Sequence, residues 1–345
     1  MRIKLKPINE QVIVITGATS GIGLVTARMA ASKGARLMLV ARDEQALTGL
    51  VAELSREGGD RIAHAAADVG DRAQLQAAAD AAIQHFGGFD TWVNNAGVSI
   101  YGRCIDVPVD EQRKLFDTNF WGVVNGSLVA VQHLREKGGA LINLGSELSD
   151  VAVPLQGAYV ASKHAVKGYT DALRIELADE GAPVSVSLVK PAGIDTQFVE
   201  HARIHLDQQP KLPQPVYAPE VVARAILHAA AHPVRDLYAG GASRGMSWFG
   251  RSAPRLYDAI LTALGMKAQL TGEPRRDGDA LEEGGSGLRE RSGHHGRVRE
   301  RSLYTDMHTL APAPRAALIG IAGVMLLAAA GRYVREAKGY REARV

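Results

Sequence analysis

Tyr159 stands four residues before Lys163, with Ser146 upstream, and these three side-chain types can together move a proton beside a hydride. Positions i and i+4 of a helix share one face, so the Lys163 ammonium can approach the Tyr159 phenol. A free phenol titrates at about pH 10, and a neighbouring cation favours its phenolate, bringing proton exchange closer to neutrality. An isolated Tyr-x-x-x-Lys is more often two exposed residues on an ordinary helix, so the elements around it have to decide.

Val12-Ile13-Val14-Ile15-Thr16 is a β-branched run of the kind that forms a strand buried on both faces. The turn after it, Gly17-Ala18-Thr19-Ser20-Gly21-Ile22-Gly23, leads into an alanine-rich helical stretch over residues 24–32. Glycines permit positive φ and close backbone approach, and a helix N-terminus offers unpaired amides to a pyrophosphate. The Gly-x-x-x-Gly-x-Gly spacing differs from the general Gly-x-Gly-x-x-Gly fingerprint and meets it in its mechanics only. Further strand-like runs fall at residues 37–40, 62–66, 91–94, 140–144, 184–189 and 236–239, with helical stretches between most of them. This alternation predicts an α/β fold with a doubly wound, Rossmann-type parallel sheet. Ligands of such sheets bind beyond the carboxyl ends of the strands, where the glycine turn, Asn95, Ser146 and Pro191 all fall. Residues 197–219, with Pro210, Pro213, Pro215 and Pro219, read as a lid of short helix and loop over substrate.

With these motifs in order, the chain resembles the short-chain dehydrogenase/reductase family over roughly its first 240 residues. Thr16-Gly17-x-x-x-Gly21-Ile22-Gly23 is similar to the family's cofactor turn, Asn94-Asn95-Ala96-Gly97 to its mid-sheet motif, and Ser146, Tyr159 and Lys163 to its active site. The resemblance implies that Tyr159 gives a proton to the carbonyl oxygen in reduction and removes it in oxidation. It also implies that Lys163 lowers the phenol pKa and binds the nicotinamide ribose, while Ser146 hydrogen-bonds the substrate oxygen. Asn119, in Asp117-Thr118-Asn119-Phe120-Trp121, is similar to the helical asparagine that holds a water linking the lysine to solvent. Asn95 resembles the residue that braces the central strand and touches the adenosine ribose, and Asp68-Val69 the pair that contacts adenine. Pro191-Ala192-Gly193-Ile194-Asp195-Thr196 corresponds to the Pro-Gly-x-x-x-Thr stretch by the nicotinamide, with Pro191, Gly193, Ile194 and Thr196 as its binding residues. Alanine at 192 departs from the family pattern, with Gly193 beside it. A serine hydrolase would need a Gly-x-Ser-x-Gly elbow, and Ser146 sits instead in Leu144-Gly145-Ser146-Glu147-Leu148.

Cofactor choice turns on the end of the second strand, which reads Ala41-Arg42-Asp43. An acidic side chain there would bind a ribose 2′-hydroxyl, whereas neutral Ala41 and cationic Arg42 suit a 2′-phosphate, so NADP is expected over NAD. The alternative is a solvated Arg42 with Asp43 merely capping the next helix.

A chain of 345 residues with 46% hydrophobic content can bury a full core without disulfides or metal. Its one cysteine, Cys104, fits a reducing compartment and reads as a packing residue rather than a nucleophile. Arg2, Lys4 and Lys6 precede the first strand without an apolar signal segment, so a cytoplasmic catalytic domain is expected. The net charge of +3 belongs to the tail: from residue 267 there are 14 basic and 10 acidic residues, against 26 and 27 before it. That argues against a nucleic-acid groove on the domain and suits attraction to an anionic lipid surface.

The catalytic domain is therefore read as 1–266, followed by a flexible charged linker over 267–310 and an apolar helix with basic flanks over 311–345. Residues 316–331 carry no charge between Arg315 and Arg332, a marginal length for a membrane anchor, which is nonetheless favoured over a docked helix. His201 and His205 have i, i+4 spacing but no third ligand, so they are read as surface histidines, as are His294 and His295, and no metal site is expected. The combined expectation is an NADP(H)-dependent enzyme interconverting an alcohol and a carbonyl on an apolar or lipid-like small molecule, in the homo-oligomer usual for the family. The competing reading is a dinucleotide-sensing binding protein that no longer turns over substrate, against which the complete Ser146, Tyr159, Lys163 and Asn119 set argues.

Overall fold

The computed structural model describes residues 3–275, 279–282, 287–292 and 296–309. Val12–Thr16 (β1), Arg36–Ala41 (β2), Ile62–Ala66 (β3), Thr91–Asn94 (β4), Gly139–Leu144 (β5), Val184–Pro191 (β6) and Asp236–Ala239 (β7) pair in parallel, in the order β3-β2-β1-β4-β5-β6-β7. Helices cover both faces, which is why the strands read as continuous apolar runs. Along β1, Ile13 and Ile15 pack beneath Gly21–Ser32 (α1), Glu44–Gly58 (α2) and Pro219–Ala231 (α7). Val12 and Val14 face Arg72–Phe86 (α3), Gly122–Lys137 (α5) and Gly157–Asp179 (α6) on the other side. The chain reverses its winding between β1 and β4, and a crevice opens there at the carboxyl ends of the strands, toward which Ser146, Tyr159 and Lys163 are carried.

Polar contacts fix that edge. The Thr16 hydroxyl accepts the amides of Asn95 and Ala96 at 3.0 and 3.2 Å, and the Asn95 side-chain amide donates to the carbonyls of Thr16 and Gly17. Deeper in the sheet, Asn94 donates to Asn143 Oδ1 at 2.8 Å and accepts from the Trp92 indole at 2.7 Å, so these buried amides are satisfied. Between Val109–Phe116 (α4) and α5, Asp117–Trp121 winds as one π-helical turn. Such wide turns re-aim side chains, and this one carries Asn119.

Three expectations change. Residues 197–219 hold short strands rather than a helix: Arg203–Ile204 pairs with Ile100–Tyr101, Gln208–Pro210 with Leu270–Pro274, and Val216–Tyr217 with Val298–Arg299. Those last pairings also overturn the flexible linker over the described part of 267–310, which folds back onto the domain. Leu303–Thr309 packs on α7 and β7, and Leu281, 1% exposed, joins the cluster of Val98, Leu115 and Tyr159. The charges that suggested a solvated chain are paired: Asp279 and Glu111 with Arg203, Glu290 and Glu53 with Arg28, and Glu300 and Glu220 with Arg291. Cys104 is exposed rather than packed. The apolar run at 316–331 and His294 and His295 lie outside the described residues, and among the described residues no helix is long and apolar enough to cross a membrane.

If the extension is integral to the domain, Leu281→Ala should destabilise it by about 2–5 kcal/mol, the range for truncating a buried leucine. Denaturant unfolding measures this, and an unchanged midpoint would mean that the extension is not docked.

Candidate active site

Helix α6 places Tyr159 and Lys163 one turn apart on its buried face, 8% and 4% exposed. The ammonium lies 5.6 Å from the centre of the phenol ring and donates to the Leu144 carbonyl, at the end of β5, at 2.9 Å. Ser146 begins the short turn after β5. Its hydroxyl accepts the Leu148 amide at 3.1 Å, while Ser149 Oγ accepts the Ser146 amide, a reciprocal cap that sets the direction of the serine. Asp150, which ends this turn, is tied down by a buried ion pair with Lys190 at 3.0 Å and by the Tyr238 hydroxyl at 2.8 Å. Burial alone would raise the Asp150 pKa, but the hydrogen bonds from Lys190 and Tyr238 hold it below the usual carboxylate range.

The same burial governs the three central groups. It pushes the Tyr159 phenol up, partly offset by a hydrogen bond with Ser146, and brings Lys163 down to about 8. Glu147, next to Ser146, is raised to about 8 by removal from water. Asn119 is wholly buried and does not line either cavity; its amide accepts from the Val98 amide and donates to the Val98 carbonyl and to Ser162. It faces Lys163 across Gly97, where an added Cβ would lie 3.3 Å from Asn119 Oδ1 and 3.8 Å from Lys163 Nζ.

Two cavities meet at this point and share Ile22, Asn95, Gly97, Thr196 and Phe198. One runs along the crevice past Gly17, Thr19, Ser20, Gly21, Arg42, Asp68, Val69 and Ala96. The other, of about 440 Å³, holds Ser146, Tyr159, Lys163, Pro191, Gly193 and Ile194. The geometry thus brings the expected residues together except Asn119 and Gly23, which lie behind the walls. Gly23 has no room for a side chain, since a Cβ would meet the Gly17 carbonyl at 2.0 Å. Gly17 itself has φ +66, so the turn holds a cradle that only glycines can form. The Ser20 hydroxyl makes no capping bond to the helix it precedes, which fits a site for phosphate oxygens.

Some contributors carried no sequence signal. His201, read as a surface residue, lines the crevice and is half-buried, and His205 meets Glu111 at 2.6 Å. Among the described residues no cluster could hold a metal. Ala280 also lines the crevice, its segment held where the Arg42 guanidinium donates to the Ala280 and Glu282 carbonyls at 2.7 and 3.0 Å. Asp43 caps α2 by accepting the Ala46 amide. The Arg289 carbonyl accepts the Gly21 amide at 3.0 Å.

Residues 11–207 match the sequence profile described as short chain dehydrogenase. The chain belongs to the short-chain dehydrogenase family. It is an oxidoreductase of that family, whose members use NAD or NADP. It is 46% identical over 336 residues to YxnA, an uncharacterized oxidoreductase of Bacillus subtilis (strain 168), a match covering 96% of this chain and 93% of that protein. The likeness therefore takes in the C-terminal extension. Among solved structures, it resembles a short chain dehydrogenase/reductase from Burkholderia phymatum in complex with NAD, with TM-score 0.66 and 28% identity over 73% of this chain and 96% of that one. It also resembles an alcohol dehydrogenase from Thermococcus sibiricus complexed with 5-hydroxy-NADP, with TM-score 0.58 and 26% identity over 66% and 95% of the two chains.

The raised Glu147 pKa has a signed consequence for stability. With a folded pKa of about 8 against 4.5, the folded state binds the extra proton, so this group's contribution is intact below pH 4.5 and is lost as pH rises through 8. Glu147→Gln should therefore match the wild type below pH 4.5 and become more stable by up to about 5 kcal/mol above pH 8. Chemical denaturation at both pH values tests this; a pH-independent difference would place the carboxyl in water.

Proposed function

We propose that this chain is an NADP(H)-dependent oxidoreductase that interconverts an alcohol and a carbonyl on a largely apolar small molecule. The observation carrying this reading is the joining of Ser146, Tyr159 and Lys163 where the nucleotide crevice opens into the second cavity. A bound nicotinamide dinucleotide supplies or accepts the hydride. The turn from Gly17 to Gly23, with Thr196, would hold its phosphates, Asp68, Val69 and Asn95 its adenosine, and Lys163 its nicotinamide ribose.

Tyr159 gives its proton to the carbonyl oxygen in reduction and recovers it in oxidation. Burial raises the phenol, so proton exchange near neutrality requires compensation, and the protonated Lys163 amine on the same helix face supplies the cation. The Ser146 hydroxyl, already held by its turn, orients the substrate oxygen toward the phenol. Asn119 acts through position, joining the Val98 backbone to Ser162 one residue before Lys163. The apolar lining of the substrate cavity, including Leu148, Val153, Phe198, Leu212, Met246 and Leu261, supports an oily substrate. Phe198 stands edge-on to the Tyr159 ring at 5.1 Å and keeps the phenol from bulk water.

The NADP preference rests on Arg42 at the crevice edge. Its bonds to the Ala280 and Glu282 carbonyls orient the guanidinium along that edge, where a cation suits a 2′-phosphate.

Two measurements test this reading. Tyr159→Phe should lower turnover by between about 100- and 10,000-fold while NADPH binding, followed by its fluorescence, stays close to wild type; undiminished turnover would refute the role of the phenol. Arg42→Leu should cut the NADPH-to-NADH ratio of kcat/KM by about tenfold, the size of one charge-assisted hydrogen bond, and an initial preference for NADH would reject the cofactor assignment.

A further inference from the structure

Glu147 is a carboxyl inside the substrate cavity that the proposed reaction does not use. The side chain makes no hydrogen bond or ion pair with any described residue, whereas the polar groups around it are committed elsewhere. Gln156 donates to Gln269 at 2.7 Å, and Gln269 donates to the carbonyls of Pro154 and Gly265. The Tyr257 hydroxyl donates to the Ala152 carbonyl at 2.9 Å, and Lys163 to that of Leu144. The nearby cations Lys190 and Arg251 pair with Asp150. A carboxyl without a partner, lining a cavity whose other walls include Leu148, Val153 and Met246, is costly to remove from water unless something in the cavity meets it.

We infer that Glu147 is a specificity residue, which receives a hydrogen-bond donor on the substrate close to the reacting carbon, and that the substrate is therefore an apolar compound with a hydroxyl or ammonium group beside its carbonyl or alcohol. The distance along the substrate follows from the site: Glu147 lines the same cavity as Ser146 and Tyr159, and its carboxyl is near enough to the phenol to act on it electrostatically, so the donor lies within a few bonds of the reacting oxygen. Simple ketones would fill the cavity and leave the carboxyl unpaired, which is the way sites built for a hydroxyl or amine reject analogues lacking it. This inference rests on the alcohol/carbonyl reading above.

The test uses the full chain with NADPH and a matched set of aryl ketones: unsubstituted, α-hydroxy and α-amino. Wild type should favour at least one substituted ketone over the plain one by about tenfold or more in kcat/KM. Glu147→Leu should bring that ratio close to one. Glu147→Gln, which keeps the shape and fold, should retain a preference for the hydroxyl but lose one for the ammonium, which separates the two donors. Equal rates across the set in wild type, or a preference that survives Glu147→Leu, would overturn the assignment of Glu147 alone. Failure to reduce any ketone despite NADPH binding would overturn the alcohol/carbonyl reading together with this inference.

Discussion

Burying an ammonium and a phenol one helical turn apart, under the carboxyl edge of a parallel sheet, is the constraint on which the rest of the structure depends. Lys163 cannot stay charged there without acceptors, and the end of β5 supplies one in the Leu144 carbonyl. That bond ties α6 to the strand whose next turn carries Ser146, so the requirement of one cation sets the spacing of the whole catalytic group. The ion pair of Asp150 with Lys190 then anchors the far end of the same turn to β6. Electrostatic need and geometric precision are satisfied by the same few contacts.

The nucleotide side is organised differently, by backbone proximity. Gly17 and Gly23 let the turn after β1 close on itself, and Asn95 stitches it to the end of β4. A side chain at Gly23 would collide with main chain rather than with a movable group, so the cradle tolerates no substitution there without rearrangement. The C-terminal extension completes the crevice: carbonyls at 280 and 282 hold Arg42, and the carbonyl at 289 meets the first amide of α1. The crevice is thus built from residues more than 200 positions apart along the chain.

The substrate cavity combines an apolar wall with very few polar groups. Most of these are satisfied by one another, as in the Gln156–Gln269 pair, and serve the fold. Glu147 stands apart because it lines this cavity without a side-chain partner among the described residues, and burial raises its carboxyl to about 8. Unsatisfied buried polarity is tolerated in proteins mainly where a ligand resolves it.

Much of this was legible in the residues. Strand-like runs alternating with helical stretches located all seven strands of the sheet, within two residues at either end, because strands covered by helices on both faces are largely apolar. The i, i+4 spacing of Tyr159 and Lys163 put both on one helical face, and the glycine spacing marked the turn beneath α1, since those relations are local. Long-range pairing decided the remainder. The charges after residue 266 looked like a solvated linker because nothing local reveals that Asp279 meets Arg203, or that Leu281 meets the Tyr159 cluster. The lid became strands rather than helix because its partners come from that extension. His201 and Ala280 entered the site through the packing of distant segments, which gives no periodic signal in sequence and exists only once the sheet has brought those segments together.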